Sequence, residues 1–191
     1  MGPKVFIDGE AGTTGLQIRQ RLQGRRDLQV VSIDPDKRKD PDARADMLNS
    51  ADAVILCLPE AVSLIKNNTT KVIDASTAHR VDPHWVYGFP EMADGHRVMI
   101  ERSNRISNPG CYPTGFIALV APLVGEGLIP KDFPITVNAV SGYSGGGKGL
   151  IEEFQGQRPE TTHDAFRTYG LTLAHKHVPE MMAHTGLTVA P

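Results

Sequence analysis

The chain has 191 residues, of which 40% are hydrophobic and 22% charged, so it can bury a sizeable core and is not expected to be disordered. Its 20 basic and 22 acidic residues nearly cancel, which argues against nucleic acid or an anionic membrane as a partner and favours a small-molecule ligand. The sequence contains neither an apolar run long enough to span a membrane nor a signal-peptide pattern, so we expect a cytoplasmic protein.

Short apolar runs alternate with helical patterns in the first half of the chain. The runs KVFIDG, LQVVSID, ADAVILCLP and KVIDAS are typical of strands buried on both faces, at residues 4–9, 28–34, 51–59 and 71–76. A helix is predicted over 13–24, so the pattern indicates a Rossmann-type α/β fold with a doubly wound parallel sheet. The connection 59–71 is near the minimum of about a dozen residues for a parallel crossover, so its helix should be very short or residues are absent from it.

The pattern changes at residue 107. An apolar helix is predicted over 113–127 and a strand over 135–142, and a glycine-rich segment follows at 141–149. A single strand cannot form a stable sheet alone. We therefore divide the chain into a nucleotide-binding Rossmann domain at 1–106 and an α+β catalytic and substrate domain at 107–191 that looks incomplete.

The segment GEAGTTG lies between the first strand and the first helix and contains Gly9, Gly12 and Gly15. Glycines at this point permit a tight turn and a close approach of the backbone to a pyrophosphate, whose charge the helix N-terminus favours. We predict that Thr13 and Thr14 join these glycines in binding a dinucleotide. The spacing alone also fits an ordinary turn between a strand and a helix.

The end of the second strand normally selects between NAD and NADP. Asp34 could accept a hydrogen bond from a ribose hydroxyl, whereas Ser32, Lys37 and Arg38 could contact a 2′-phosphate. Asp34 thus favours NAD, whereas the other three residues favour NADP. The same charged residues also fit a solvated loop.

Two side chains after the fourth strand are further candidates. Ser76 and Arg80 follow this strand at the carboxyl edge, where open α/β sheets bind ligands. We predict Ser76 as a cofactor contact and Arg80 as an anchor for a carboxylate or phosphate.

The two cysteines have different surroundings. Cys57 lies inside an apolar strand, where a structural thiol is expected. Cys111 lies in SNPGCYPTG, directly before the apolar helix, whose positive end stabilises a thiolate and so favours a nucleophile. The spacing of the two fits neither a CxxC motif nor a zinc cage, and a disulfide is not expected.

His175 and His177 are two residues apart, so on an extended segment both rings would project to the same side. Either could be the acid/base partner of Cys111. The pair also fits a metal site with Glu180 or His184 as third ligand, or ordinary surface histidines. Without a further convincing ligand we expect no metal.

Four segments together resemble a known family. GEAGTTG, NPGCYPTG, VSGYSGGGK and HKHVPEM occur in the order and rough spacing of the N-acetyl-gamma-glutamyl-phosphate reductases, and the chain is most similar to their shorter variant. The resemblance covers nearly the whole chain, and NPGCYPTG is its most specific part. It implies an oxidoreductase of arginine biosynthesis that forms homo-oligomers and uses NADPH to reduce an acyl phosphate through a cysteine thioester, releasing inorganic phosphate.

The resemblance also implies roles for single residues. Cys111 would be the nucleophile and His177, in preference to His175, the acid/base group. Further contacts are implied for the cofactor at Ser144 and Gly145, and for the substrate at Arg80, Asn108, Ser141 and Lys148. Two alternatives stay open: an enzyme like the aspartate-semialdehyde dehydrogenases, which share the glycine loop and the cysteine nucleophile, and a nucleotide-sensing module in which Cys111 is structural.

Overall fold

A computed structural model describes residues 2–159 and 162–191, apart from the side chains of Thr13 and Pro59. Six strands form one parallel sheet: β1 (Lys4–Asp8), β2 (Gln29–Val31), β3 (Ala53–Leu56), β4 (Lys71–Asp74), β5 (Val86–Tyr87) and β6 (Arg105–Ser107). Their order across the sheet is β2-β1-β3-β4-β6-β5, and every neighbouring pair is parallel. The helices are α1 (Thr13–Leu22), α2 (Pro41–Ser50), α3 (His96–Arg102), α4 (Cys111–Gly125), α5 (Gly147–Phe154) and α6 (Val178–Thr185).

The centre of the sheet forms the main core. Phe6, Val54 and Val72 from β1, β3 and β4 are buried with Leu48 of α2 in one apolar cluster. Strands covered on both faces need apolar residues at nearly every position, which accounts for β1, β3 and β4. β2 also forms within its predicted run, but it is a three-residue strand at the edge of the sheet and contains no buried residue. Between β3 and β4 the chain forms only a 3-10 helix at Pro59–Leu64, so the prediction of a very short crossover is confirmed.

A second apolar cluster joins α4 to α6. Phe116 and Val120 of α4 pack against Met181 of α6 and against Leu187, which follows that helix. This packing brings the first turn of α6 to the first turn of α4, although the two segments are far apart in sequence. The arrangement places the end of β6, the start of α4 and the start of α6 side by side.

The strand predicted over 135–142 is wrong. These residues form no strand, and Val140 is 92% exposed. A strand needs a partner for its backbone N–H and C=O groups, and in the described ranges no strand pairs with this segment. High β-propensity alone therefore does not produce a strand here.

The end of β6 bears on the predicted division of the chain into two domains. β6 ends at Ser107, so the last strand of the sheet crosses the predicted domain boundary at 106/107 by one residue, and the division stays a prediction.

Within the described residues, no helix is both long and apolar enough to cross a membrane.

Candidate active site

Cys111 is the first residue of α4, and its side chain is exposed. The loop before it is anchored by the backbone N–H of Asn108, which donates to the C=O of Asp74 at the end of β4 over 2.7 Å. Gly110 is the N-cap residue, and the hydroxyl of Thr114 donates to its C=O over 2.8 Å. The thiol therefore lies at the positive end of a 15-residue helix, where unpaired backbone N–H groups favour a negative charge.

A single carboxylate holds this helix start in place. Oε1 of Glu180, in the first turn of α6, accepts from the backbone N–H of Gly110 and from the hydroxyl of Tyr87, both over 2.7 Å. Its Oε2 lies 3.2 Å from the Arg80 guanidinium, which also donates to the C=O of Ala75 over 3.3 Å. Glu180 is only 2% exposed, so a network that neutralises its charge is required.

Three side chains around the helix start leave no room for a larger residue at position 110. A Cβ placed on Gly110 would lie 2.7 Å from Nη1 of Arg80, 2.8 Å from Oε2 of Glu180 and 3.0 Å from Nε2 of His177. The glycine before Cys111 is thus needed for close packing and not for its backbone conformation, because its φ of −67° is one that any residue adopts.

His177 is the N-cap residue of α6 and is 5% exposed. Burial, with a smaller contribution from the charge of His175, lowers its pKa to about 4, so its ring is neutral at pH 7. Its Nδ1 is buried and has no hydrogen-bond partner among the described residues. A neutral imidazole packed against the residue before an exposed thiol is a suitable proton acceptor.

His175 and His177 do not lie on an extended strand, as the sequence suggested, but on the turn that leads into α6. Nδ1 of His175 accepts from the backbone N–H of His177 over 3.2 Å, and the two ring centroids are 4.6 Å apart. Each ring also lies 5.8 Å from the ring of Tyr112, beside Cys111. Both histidines therefore converge on the start of α4.

The hydroxyl of Tyr112 connects this region to the glycine-rich segment. It forms hydrogen bonds with Ser141, over 2.7 Å, and with Tyr169. Burial, followed by the contact with Tyr112, raises the pKa of Tyr169 to about 12, so the Tyr169 hydroxyl stays protonated at pH 7. Of the residues predicted in segment 141–149, Ser141 thus contacts the residue that follows the cysteine.

The other predicted residues of this segment lie further along. Ser144 and Gly145 are in the 3-10 helix Tyr143–Gly146, which leads into α5, and α5 lies against α1 behind the glycine loop. Lys148 is exposed on α5, with Nζ 3.5 Å from Glu152. Asn108 is exposed three residues before Cys111, and its side chain donates to the C=O of Pro109 over 3.2 Å.

A cavity of about 370 Å³ lies at the other end of the site, at the carboxyl end of β1. It is lined by backbone and side chains of the glycine loop, among them Gly9 and Glu10. Gly9 has a φ of +87°, which favours glycine, and a Cβ on Gly15 would lie 2.3 Å from the C=O oxygen of Gly9. Gly12 caps α1 without a side chain, so the N–H groups of that helix remain available to a phosphate.

These features fit a dinucleotide. The cradle exists only because its glycines lack a Cβ, and the cavity lies where open α/β sheets bind nucleotides. Thr14 is exposed in the first turn of α1, whereas the side chain of Thr13 lies outside the described part of the structure.

Charged residues cluster next to this cavity. Glu10 contacts Arg19, Arg38 and Ser32, with 3.0 Å between its Oε2 and the serine hydroxyl. Asp34 is used differently: its side chain caps a short 3-10 helix by accepting from the backbone N–H of Asp36 over 3.1 Å. Ser32 and Arg38 are thus brought together, and Asp34 is engaged away from them.

Ser76 is held in a turn after β4. Its hydroxyl donates to the buried carboxylate of Asp74 over 2.8 Å, and the same oxygen of Asp74 lies 2.6 Å from Nδ1 of His79. His79 in turn stacks on Trp85, with ring centroids 4.1 Å apart. The turn is therefore rigidly attached to the carboxyl edge of the sheet.

Cys57 contrasts with Cys111. It is half-buried after β3, and burial, with the charges of Asp8 and Asp74, raises the pKa of its thiol. Both cysteines are free. Across residues 2–159 and 162–191, no group of three or more His, Cys, Asp or Glu side chains could hold a metal ion.

Sequence reasoning missed the roles of four contributors to the site. It considered Glu180 only as a metal ligand, and it did not consider Tyr87, Tyr112 or Glu10 in any role. An acidic residue within the apolar segment VPEMM is a signal that could have drawn attention to Glu180, because a buried carboxylate requires a partner. The partners themselves, Arg80 and Tyr87, lie about a hundred residues away and leave no local signal.

Comparison with known proteins gives consistent results. Residues 111–190 match the family model for the semialdehyde dehydrogenase dimerisation domain. Over 99% of its length the chain is 56% identical to N-acetyl-gamma-glutamyl-phosphate reductase 2 of a Nostoc species and 54% identical to N-acetyl-gamma-glutamyl-phosphate reductase of Burkholderia lata. It covers 62% and 61% of these proteins, so it spans about three fifths of the length of the curated relatives it matches.

Solved structures show the same fold at low sequence identity. Aspartate semialdehyde dehydrogenase II from Vibrio cholerae superimposes with a TM-score of 0.57 at 16% identity, over 97% of this chain and 67% of that one. The similarity confirms the α/β fold expected from the sequence.

Proposed function

We infer from its similarity to N-acetyl-gamma-glutamyl-phosphate reductases that the chain carries the acyl-transfer site of such an enzyme. The proposed reaction is the NADPH-dependent reductive dephosphorylation of N-acetyl-L-glutamyl 5-phosphate to N-acetyl-L-glutamate 5-semialdehyde, a step of arginine biosynthesis. The observation that carries this proposal is the exposed thiol of Cys111 at the first residue of α4, with His177 packed against the preceding glycine.

The first step is acyl transfer. The Cys111 thiolate attacks the acyl carbon, a C–S bond forms, and the C–O bond to phosphate breaks with release of inorganic phosphate. Backbone N–H groups of the first turn of α4 point to the position where the carbonyl oxygen becomes negative, and they stabilise it. Glu180 and Arg80 keep this helix start in position.

The second step is reduction of the thioester. Bound NADPH would supply the hydride. His177 handles the proton on the oxygen of the thiohemiacetal. In the oxidative direction its neutral ring removes the hydroxyl proton as the carbon loses hydride, and in the reductive direction the ring first takes up a proton from solvent and then passes it to that oxygen. His175, hydrogen-bonded to the backbone of His177, orients the turn that carries the base.

Cofactor and substrate residues keep the roles that the sequence predicts, as part of this proposal. The glycine cradle would hold the pyrophosphate of NADP, Ser32 and Arg38 its 2′-phosphate, and Ser76, Ser144 and Gly145 its nicotinamide half. Asn108, three residues before Cys111, and Ser141, hydrogen-bonded to Tyr112, are the proposed substrate contacts from these two segments. Arg80 and Lys148 would contact the substrate in addition to their present partners, which are Glu180 for Arg80 and Glu152 of α5 for Lys148.

The protein is also proposed to act as a homo-oligomer in the cytoplasm. Support for oligomerisation comes from the match of residues 111–190 to a dimerisation domain. Side chains exposed in that segment include Leu119, Val140 and Leu173, which water solvates poorly. Size-exclusion chromatography with light scattering tests the oligomeric state, and fractionation of the producing cells tests the location.

The decisive experiment measures NADP⁺ reduction by the full-length protein with N-acetylglutamate semialdehyde, with and without inorganic phosphate. Turnover that requires phosphate supports the proposal. Turnover with aspartate semialdehyde instead would indicate the other enzyme class. Nucleotide binding without any turnover would indicate a nucleotide-sensing module.

A further inference from the structure

Glu10 is an unusual residue for the position it occupies. It lies inside the glycine loop, between Gly9 and Ala11, and its side chain is only 6% exposed although it lines the 370 Å³ cavity. The carboxylate contacts Arg19 through Oε2, and Oε1 lies 3.5 Å from Arg38. A buried carboxylate is costly unless it is paired, so Glu10 depends on both arginines.

The position of this cluster indicates which part of a nucleotide it would contact. Ser32, which donates to Glu10 over 3.0 Å and also contacts Arg19, is the residue directly after β2. In a Rossmann sheet, the end of the second strand contacts the 2′ position of the adenosine ribose. Side chains of Arg19 and Arg38 are 46% and 42% exposed, so both guanidinium groups remain partly open to a ligand.

Resting on the proposed NADP-dependent function, we propose that Glu10 is a tethered counter-anion in the 2′-phosphate site. Before the nucleotide binds, its carboxylate holds Arg19 and Arg38 together. When the nucleotide binds, a 2′-phosphate must take over these two arginines and meets a carboxylate of like charge. Glu10 therefore lowers the affinity for nucleotides that carry a 2′-phosphate, and so determines how strongly the protein prefers NADP to NAD.

The competition makes a specific prediction about two small nucleotides. In 2′,5′-ADP the 2′-phosphate is present, whereas 5′-ADP lacks it, and neither contains the nicotinamide. Replacement Glu10→Gln keeps the size of the side chain and removes its charge. We expect it to lower the Kd of the full-length protein for 2′,5′-ADP by about tenfold and to change the Kd for 5′-ADP by less than about twofold.

Two comparisons separate this effect from a general change in charge or fold. Glu60→Gln removes a negative charge from the same end of the sheet, after β3, and should change neither Kd. In an Arg19→Met/Arg38→Met background, Glu10→Gln should no longer improve the binding of 2′,5′-ADP, because the carboxylate acts through these arginines. Arg38→Met alone leaves Glu10 in place and should raise the Kd for 2′,5′-ADP by about tenfold.

Isothermal titration calorimetry on the full-length variants gives each Kd without turnover. A selective gain for 2′,5′-ADP that disappears in the double-arginine background supports the proposal. It is overturned if Glu10→Gln leaves both Kd values unchanged or weakens both nucleotides equally. It is likewise overturned if Arg38→Met has no effect, a result that does not depend on the folding of the Glu10 variant.

The outcome is independent of the proposed reaction. If the selective gain appears while phosphate-dependent turnover is absent, the reductase assignment fails and the nucleotide inference stands. If turnover is present and Glu10→Gln changes neither Kd, only the inference about Glu10 fails.

Discussion

The carboxylate of Glu180 accepts a hydrogen bond of 2.7 Å from the backbone N–H of Gly110, although the two residues are 70 positions apart. This bond connects the first turn of α6 to the residue that precedes the thiol. Through its other oxygen, Glu180 pairs with Arg80, which follows β4. The start of α4 is thus fixed to the sheet and to a second helix at once, which is the preorganisation that a nucleophile requires.

Loss of the charge on Glu180 is expected to destabilise the protein. In Glu180→Gln the shape is retained, but the Arg80 guanidinium, 9% exposed, is left buried without a counter-charge. Removal of one partner of a buried pair costs about 3 kcal/mol of unfolding free energy. Urea denaturation measures the loss. Glu126→Gln, at the exposed opposite end of α4, is the matched control and should be close to wild type; equal stability of the two variants would contradict a structural role for the pair.

The two cysteines should differ sharply in reactivity. Cys111 is exposed at a helix N-terminus, whereas Cys57 is half-buried with a raised pKa. We expect iodoacetamide at pH 7 to label Cys111 first, as mass spectrometry of the peptides would show. Cys111→Ser should lower kcat for the semialdehyde by at least about a thousandfold and leave nucleotide binding intact. Cys57→Ser should keep activity; the reverse order of labelling would argue against Cys111 as the nucleophile.

The sequence was informative where a feature is local. The glycine loop and the thiol at a helix start depend on neighbouring residues, so both could be predicted from GEAGTTG and NPGCYPTG. So could the strands β1 to β4 from their continuous apolar runs, although only β1, β3 and β4 contain buried residues. The segment 135–142 failed because strand formation depends on a partner, which periodicity does not reveal.

Features that depend on distant contacts could not be predicted in the same way. The contacts of Glu180 with Gly110, Tyr87 and Arg80 join residues 70 to 100 positions apart. A charge within a glycine loop, such as Glu10, gives no sign of which arginines neutralise it until the chain is folded. Ser32 and Arg38 were identified as a possible phosphate site, but the carboxylate between them became visible only in the structure.

The depressed pKa of His177 makes stability depend on pH in a defined direction. Burial lowers this pKa from 6.5 to about 4, so between these values the unfolded chain binds a proton at His177 that the folded protein does not. The contribution to stability is therefore complete above pH 6.5 and is lost as pH falls towards 4. Urea denaturation from pH 7.5 to 4.5 should show that the unfolding free energy decreases as the pH is lowered. The decrease should be less steep in His177→Gln.

Two other histidines serve as references for that slope. His184 is half-buried, and this burial lowers its pKa, so part of the pH dependence should persist in His177→Gln. His163 is exposed, and His163→Gln should leave the slope of the wild-type protein unchanged. If His177→Gln and His163→Gln gave identical slopes, His177 would not be buried in its neutral form.

Glycine 110 and glycine 115 offer the most direct test of close packing at the cysteine. In Gly110→Ala the new methyl group would meet Arg80, Glu180 and His177 at 3.0 Å or less, so these buried side chains must move. Overpacking of this kind costs about 1–3 kcal/mol, and the displaced helix start should slow alkylation of Cys111. In Gly115→Ala, within the same helix, the methyl group has no neighbour within 4 Å, and the better helix propensity of alanine should stabilise by about 0.5–1 kcal/mol. The close packing around Gly110 therefore predicts changes in unfolding free energy of opposite sign for the two substitutions. Urea denaturation measures these changes, and thiol alkylation reports the position of Cys111. A stabilising effect of Gly110→Ala would exclude the close packing.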